Sequence, residues 1–306
     1  MIRLGSDCDW SDLYIPITRI RIGEALQRLR PNTRLRYGYL LLAFVVCFSL
    51  AGCANPAGSE QLSAQPRAAG VSNTTSNKSN SDDYFSGCRQ FFAGGKPPIV
   101  AYRITDRDLC YDSFAILHSG ESKTPVFVAE RITRASVASS NVKRTNQFFP
   151  DARLPSSERA TLEDYVGSGY DRGHMAPAGN MTTAQSMAQS FSLANMVPQA
   201  PVHNRGAWAA SVEAPTRKYA GRASGHVYVI TGPVYEPSIA ASHGIGPGKV
   251  RVPKYLFKLV YDDDTKRAWA HWHLNDDVTR GSKPITYAEL VTRTGIEFFP
   301  GLNPLD

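Results

Sequence analysis

Asp171-Arg172-Gly173-His174-Met175-Ala176-Pro177 sets a proton acceptor, His174, two residues from a fixed cation, Arg172, with a glycine between them. With Gly169-Tyr170 ahead of it, the segment reads as extended chain, and period-two alternation then points Arg172 and His174 to one face. Gly173 falls on the other face, where the missing Cβ lets another backbone or a ligand come close. A base and a cation on one wall suit phosphodiester cleavage: the imidazole activates water and the guanidinium takes charge developing on phosphate. Arg-x-His alone is more often structural than catalytic, so the rest of the chain decides.

The chain has 306 residues, 42% of them hydrophobic, enough for one large domain or two small ones. The net charge is +7. Seven Arg against four acids lie in residues 1–52, which leaves 27 basic and 23 acidic residues beyond them. That modest excess is compatible with a polyanionic substrate without requiring one.

Residues 40–51 are a twelve-residue apolar run that follows Arg30, Arg34 and Arg36. The run is shorter than the roughly 20 residues of a membrane-spanning helix and matches a signal-peptide core. Leu50-Ala51-Gly52-Cys53 closes it and resembles a bacterial lipobox, which makes Cys53 the expected lipidated first residue of an exported protein. Ala54 after it is similar to outer-membrane sorting, and the expected location is membrane-anchored and facing the periplasm. The 39 residues ahead of the run are long for a signal peptide and place the expected start downstream of Met1. Cys8 and Cys47 would leave with the signal. Cys88 and Cys110 remain, read as a disulfide in an oxidising compartment, with two separate thiols as the alternative. Residues 53–84, rich in Ser, Asn, Ala and Gly, cannot bury a core and read as a flexible polar tether. The globular domain is expected over residues 85–306.

Within it, 112–118 and 125–131 are β-favouring runs joined by a polar turn, a hairpin. Residues 141–165 read as loop, and 182–190 as a short helix. Residues 204–222 read as a longer helix, disturbed by Pro215. Residues 226–231, 255–261 and 268–274 alternate as strands, and 285–294 is a last helix stopped by Gly295. Strands with interspersed helices and no βαβ regularity indicate an α+β fold with a largely antiparallel sheet.

Ser168-Gly-Tyr-Asp-Arg-Gly-His-Met-Ala-Pro177 is followed by Asn195-Met-Val-Pro-Gln199, Asn204-Arg-Gly-Ala-Trp208 and Thr231-Gly-Pro-Val-Tyr-Glu236. Arg293-Thr-Gly295 and Phe299-Pro-Gly-Leu302 come near the end. In these ordered motifs, from about residue 85 onward, the chain resembles the DNA/RNA non-specific endonucleases of the ββα-metal (His-Me finger) superfamily. The resemblance implies that His174 is the general base and that Asn204 is the sole direct protein ligand of a Mg²⁺ (Mn²⁺ as a substitute), whose other ligands are waters and substrate oxygens. It implies phosphate contacts from Arg172 and Arg144, a supporting amide at Asn195, and an acid at Glu213 ordering water around the ion. DNA and RNA would be held through their phosphates and cut to 5′-phosphate and 3′-hydroxyl ends. The second reading, from another class, is a catalytically silent nucleic-acid-binding lipoprotein that keeps the fold.

Plainer readings stand beside these. Asn204 at the start of a helical run is also a helix cap, and Arg144 a solvated loop cation. Asp171 reads as a structural hydrogen-bond acceptor, His203 as a bystander, and His271 and His273 as a solvent-facing stripe. The chain departs from the family at Glu213, which lies nine rather than eight residues after Asn204. At about 100° per residue, nine positions turn a side chain about 180° away. A π-bulge near Trp208–Pro215 would restore the acid to the site; a regular helix would leave Glu213 in solvent and bury Val212.

Overall fold

The computed structural model describes residues 84–306. The apolar run, the lipobox with Cys53 and the tether through Asp83 lie outside the described residues. Among the described residues no helix is long and apolar enough to cross a membrane.

The strands are β1 (Asp106–Cys110), β2 (Phe114–Ser119), β3 (Thr124–Ile132), β4 (Asp171–His174), β5 (Met196–Gln199), β6 (Val227–Val234), β7 (Gly244–Ile245), β8 (Val250–Arg251), β9 (Tyr255–Asp262), β10 (Ala268–Leu274) and β11 (Ile285–Thr286). The helices are α1 (Arg134–Ala138), α2 (Ala184–Ser190), α3 (Pro201–His203), a π-helix (Asn204–Glu213), α4 (Ala214–Ala220) and α5 (Tyr287–Thr294). Seven strands form one antiparallel sheet in the order β1-β2-β3-β6-β9-β10-β11. The α+β class with an antiparallel sheet is as the sequence indicates. Polar β1 at the edge and short β5 carry no apolar alternation that marks them as strands in the sequence.

Both faces of the central sheet are covered. Ala115, Leu117, Phe127, Ala129, Ile230, Phe257 and Leu259 pack on one side with Phe85, Phe92, Leu290, Phe298 and Phe299. Phe114, Ile116, Val128 and Leu256 point to the other side, against Met175, Met187, Phe191, Val197, Trp208 and Val212. Period-two alternation within β2, β3 and β9 thus feeds two cores. Tyr84, the last position given to the tether, is buried and stacks on Tyr102 with ring centroids 4.2 Å apart. Cys88 and Cys110 form a disulfide, with Cα atoms 5.7 Å apart, that ties this N-terminal segment to the end of β1.

Local signals set several boundaries. The Thr183 hydroxyl accepts from Ser186 N, and the Ser186 hydroxyl accepts from Thr183 N, so α2 begins on a reciprocal cap. Gly295 ends α5 in the left-handed conformation, φ 68°.

Candidate active site

β4 and β5 pair antiparallel as a separate ribbon, with Asp171 opposite Gln199 and His174 opposite Met196. After Ala200 the chain turns directly into helix at Pro201, a residue suited to the first helical position because it needs no donor there. Strand, strand and helix therefore converge on one place. The side chain of Gln199 fills the space opposite Gly173: a Cβ there would come 2.1 Å from Gln199 Oε1. Arg172 and His174 share the other face, as the alternation requires, because the Phe148 ring meets both.

Two phenylalanines build this wall. The Arg172 guanidinium lies 4.2 Å from the Phe148 centroid, and that of Arg144 lies 4.9 Å from the Phe191 centroid. Phe191 also packs edge-on to His174 at 5.0 Å and to Phe148 at 4.9 Å. Each cation is thus held on an aromatic face beside the imidazole. Arg144 itself is exposed, with Nε donating to Asn146 Oδ1 at 2.6 Å. His174 is 8% exposed, and its Nε2 has no hydrogen-bond partner. Burial, reinforced by Arg144 and Arg172, holds its pKa down to about 3. The ring is therefore neutral at neutral pH, and because Nε2 is sealed from solvent, Nδ1 is the nitrogen left to accept a proton.

Asn204 has helical backbone angles and lies in the helix's first turn, three residues past Pro201, so it is not the N-cap. Its Nδ2 donates to Asp171 Oδ2 at 2.9 Å. Asp171 also accepts from Arg205 Nε at 2.8 Å, the structural role expected of it. Because a carboxylate only accepts, this bond orients the amide and leaves Oδ1 as its free oxygen. Among the described residues no three His, Cys, Asp or Glu side chains gather to hold an ion. A single amide oxygen fits a hard cation that keeps most of its water and fits a soft transition metal poorly.

Asn195 supports rather than touches. It is fully buried; Oδ1 accepts from Ala176 N, and Nδ2 donates to the carbonyls of Ala176 and Ser190, each at 2.9 Å. One amide hydrogen is spent on Ala176, two residues after His174, and the other on Ser190 at the end of α2, so none remains for a ligand.

The extra residue before Glu213 is absorbed over a longer stretch than a single-turn bulge. The π form runs from Asn204 through Glu213, and Ala214 N donates to Ala209 O, an i→i+5 bond. With more than four residues per turn, nine positions make about two full turns. Glu213 therefore faces inward, where Lys258, Arg217 and Arg144 act on it. The Trp208 indole N–H approaches the same carboxylate, short of full hydrogen-bond geometry. Val212 is buried and Glu213 half-buried, so the wider helix turns both side chains in.

The buried charges beneath this helix escape a motif reading. Lys258 is 1% exposed; Nζ donates to Thr231 Oγ1 at 2.6 Å and to Met175 O at 3.3 Å. Glu130 is 2% exposed and accepts from Asn180 Nδ2 at 2.9 Å, while Arg217 Nη1 donates to Asn180 Oδ1 at 2.9 Å. Burial pushes Glu130 up to about 7, against the pull of Lys258. Two sequence signals could have found the set: Lys258 interrupts the apolar face shared by Leu256 and Val260, and Arg217 follows Glu213 by four residues.

The histidines differ from expectation. His271 and His273 are 7% and 1% exposed, not a solvent-facing stripe, because the helix after Pro201 packs over that side of β10. His203, beside Asn204, is buried in the same network: its Nδ1 meets Gln199 Nε2, and its Nε2 meets His273 Nδ1, both at 3.2 Å.

Comparison with known proteins bears on the family and the fold. The family model for DNA/RNA non-specific endonucleases matches residues 98–305. The human mitochondrial nuclease EXOG is 35% identical over 159 residues, 49% of this chain and 43% of that protein. Nuclease C1 of Cunninghamella echinulata var. echinulata is 34% identical over 210 residues, 64% of this chain and 81% of that protein. The chain thus spans less than half of the mitochondrial relative and most of the fungal one. The crystal structure of the EndoG/EndoGI complex, which addresses the mechanism of EndoG inhibition, superposes with a TM-score of 0.58 at 28% identity, covering 65% of this chain and 87% of that one. The β4–β5–helix unit over an antiparallel sheet is accordingly a ββα-metal fold, and the chain belongs to the DNA/RNA non-specific endonuclease family.

Proposed function

We infer that the domain is a Mg²⁺-dependent, sugar-non-specific endonuclease that hydrolyses phosphodiester bonds in DNA and RNA, leaving 5′-phosphate and 3′-hydroxyl ends. The observation that carries this reading is the His174 ring, neutral and flanked by two arginines seated on aromatic rings. The imidazole takes a proton from the attacking water, and Arg172 and Arg144 hold the phosphate and its developing charge. Asn204 Oδ1 would hold the cation, which when bound neutralises charge on the phosphate and the departing oxygen. Glu213 orients water on the same side, and Asn195 keeps the chain after His174 in place. Recognition through phosphates rather than base edges explains indifference to sequence and sugar, and makes affinity fall steeply with salt.

A plasmid-nicking assay, with a parallel RNA substrate, tests this in Mg²⁺, in Mn²⁺ and in EDTA. Cleavage of both substrates with either ion, none in EDTA, and a loss of about 10²–10⁴-fold in His174→Ala are expected. Duplex binding without cleavage by the wild-type protein would leave the silent binder instead. The exported setting belongs to the same reading. A mature N-terminus at Cys53 and release from membranes in Cys53→Ser would support a lipid anchor facing the periplasm, and processing elsewhere would remove it.

A further inference from the structure

The geometry points to Lys258 as a positioning residue that ties the end of β4 to the central sheet and holds Glu213 turned toward the site. It rests on the hydrolytic reading above, in which Glu213 orders water beside the cation.

Lys258 projects from β9, where it pairs with Thr231 of β6. Its ammonium takes the Thr231 hydroxyl at 2.6 Å within the sheet and the Met175 carbonyl, one residue beyond His174, at 3.3 Å. It also lies 5.9 Å from the Trp208 ring centroid on the π-helix. One side chain therefore reaches the sheet, the strand that carries the base and the helix that carries Asn204. The two carboxylates acting on it are Glu130, from β3 of the sheet, and Glu213, from the helix. Glu130 is also engaged by Asn180, whereas Glu213 has no hydrogen bond that meets full geometry. The π-helix turns Glu213 inward, and the cations there, Lys258 foremost, favour its charged form in that position. Without Lys258 the two acids, which already act on each other, would lose the cation between their charges, which drives one to take up a proton or swing away. A buried lysine costs desolvation that a hydrophobic residue would not, so a position that needed only packing has no use for the charge.

The variants are Glu130→Gln, which keeps an acceptor for Asn180, and Lys258→Met/Glu130→Gln, which removes both buried charges together and leaves no unpaired ion at the sheet. Enhancement of water-proton relaxation by Mn²⁺, measured on the protein free of nucleic acid, reads the hydrated ion directly. The nicking rate and the thermal midpoint are followed alongside. The double variant should keep a cooperative unfolding transition, bind Mn²⁺ about 10–100-fold more weakly and need correspondingly more metal for cleavage. Glu130→Gln alone should stay within about threefold of wild type in both, an expectation on the same scale of supporting-residue effects. A double variant that binds Mn²⁺ and cuts like wild type overturns the assignment. So does one that fails to fold, since Lys258 would then be a stability residue, or a Glu130→Gln variant as impaired as the double. A wild-type protein that does not cut would instead remove the hydrolytic reading, whatever the variants do to Mn²⁺ binding.

Discussion

Lowering the pH from 7.5 to 5 should destabilise the wild-type protein more than a His174→Gln variant, by an amount that the burial of this one ring sets. The folded protein holds His174 at about 3, against an ordinary value of 6.5 for the unfolded chain. A folded pKa below the unfolded one means that, between those two values, the unfolded state binds a proton that the folded state refuses. Stability from this group is therefore fully present above pH 6.5 and lost as the pH falls toward 3. From pH 7.5 to 5 the unfolded chain's protonation at this site costs about 2 kcal/mol, from linkage with RT near 0.6 kcal/mol. Other buried groups also titrate: burial pushes Glu213 up and holds His118, His203 and His271 at about 4. They remain in both proteins, so subtracting the variant's change from the wild type's isolates His174. The assay is urea unfolding at both pH values with the Cys88–Cys110 bond intact. Equal losses in the two proteins, or an NMR titration of the His174 ring near 6.5, would refute the reasoning.

Three further outcomes follow from contacts. Gly173→Ala puts a Cβ 2.1 Å from Gln199 Oε1 and 2.6 Å from its Cβ, so it should destabilise by about 1–3 kcal/mol or more, read by the same urea titration. Asn204→Ala, which leaves Asp171 bonded to Arg205, should raise the Mg²⁺ needed for half-maximal nicking while the thermal midpoint stays within a few degrees; unchanged metal dependence would exclude Asn204 as the ligand. Replacing Cys88 and Cys110 together by Ser opens a loop with a sequence separation of 22 and should cost about 3 kcal/mol of unfolding free energy, with the nicking rate at low temperature preserved because the bond lies away from His174.

The segment Asp171–Pro177 contained its own geometry. Alternation alone placed Arg172 with His174 and left Gly173 open on the far side, because side-chain direction along a strand is a local property. The same holds for the hairpin of β2 and β3, the Thr183 cap and the Gly295 stop, each settled within a few residues. The ordered motifs added the family and the candidate set His174, Arg172, Arg144, Asn195, Asn204 and Glu213. What they could not add is what covers each face. His271 and His273 read as solvent-facing until the helix after Pro201 lies over them, and Lys258 becomes a buried hub only where β6, the end of β4 and the π-helix close around it. Glu213 is the clearest case: its spacing from Asn204 allowed two opposite orientations. The choice fell to the helix, which stays in the π form over ten residues as Trp208 and Val212 bury beside it. Local sequence sets where a side chain points relative to its own backbone; burial, charge pairing and the helical turn it must fit depend on partners 37 to 83 residues away along the chain, and only the folded chain brings those together.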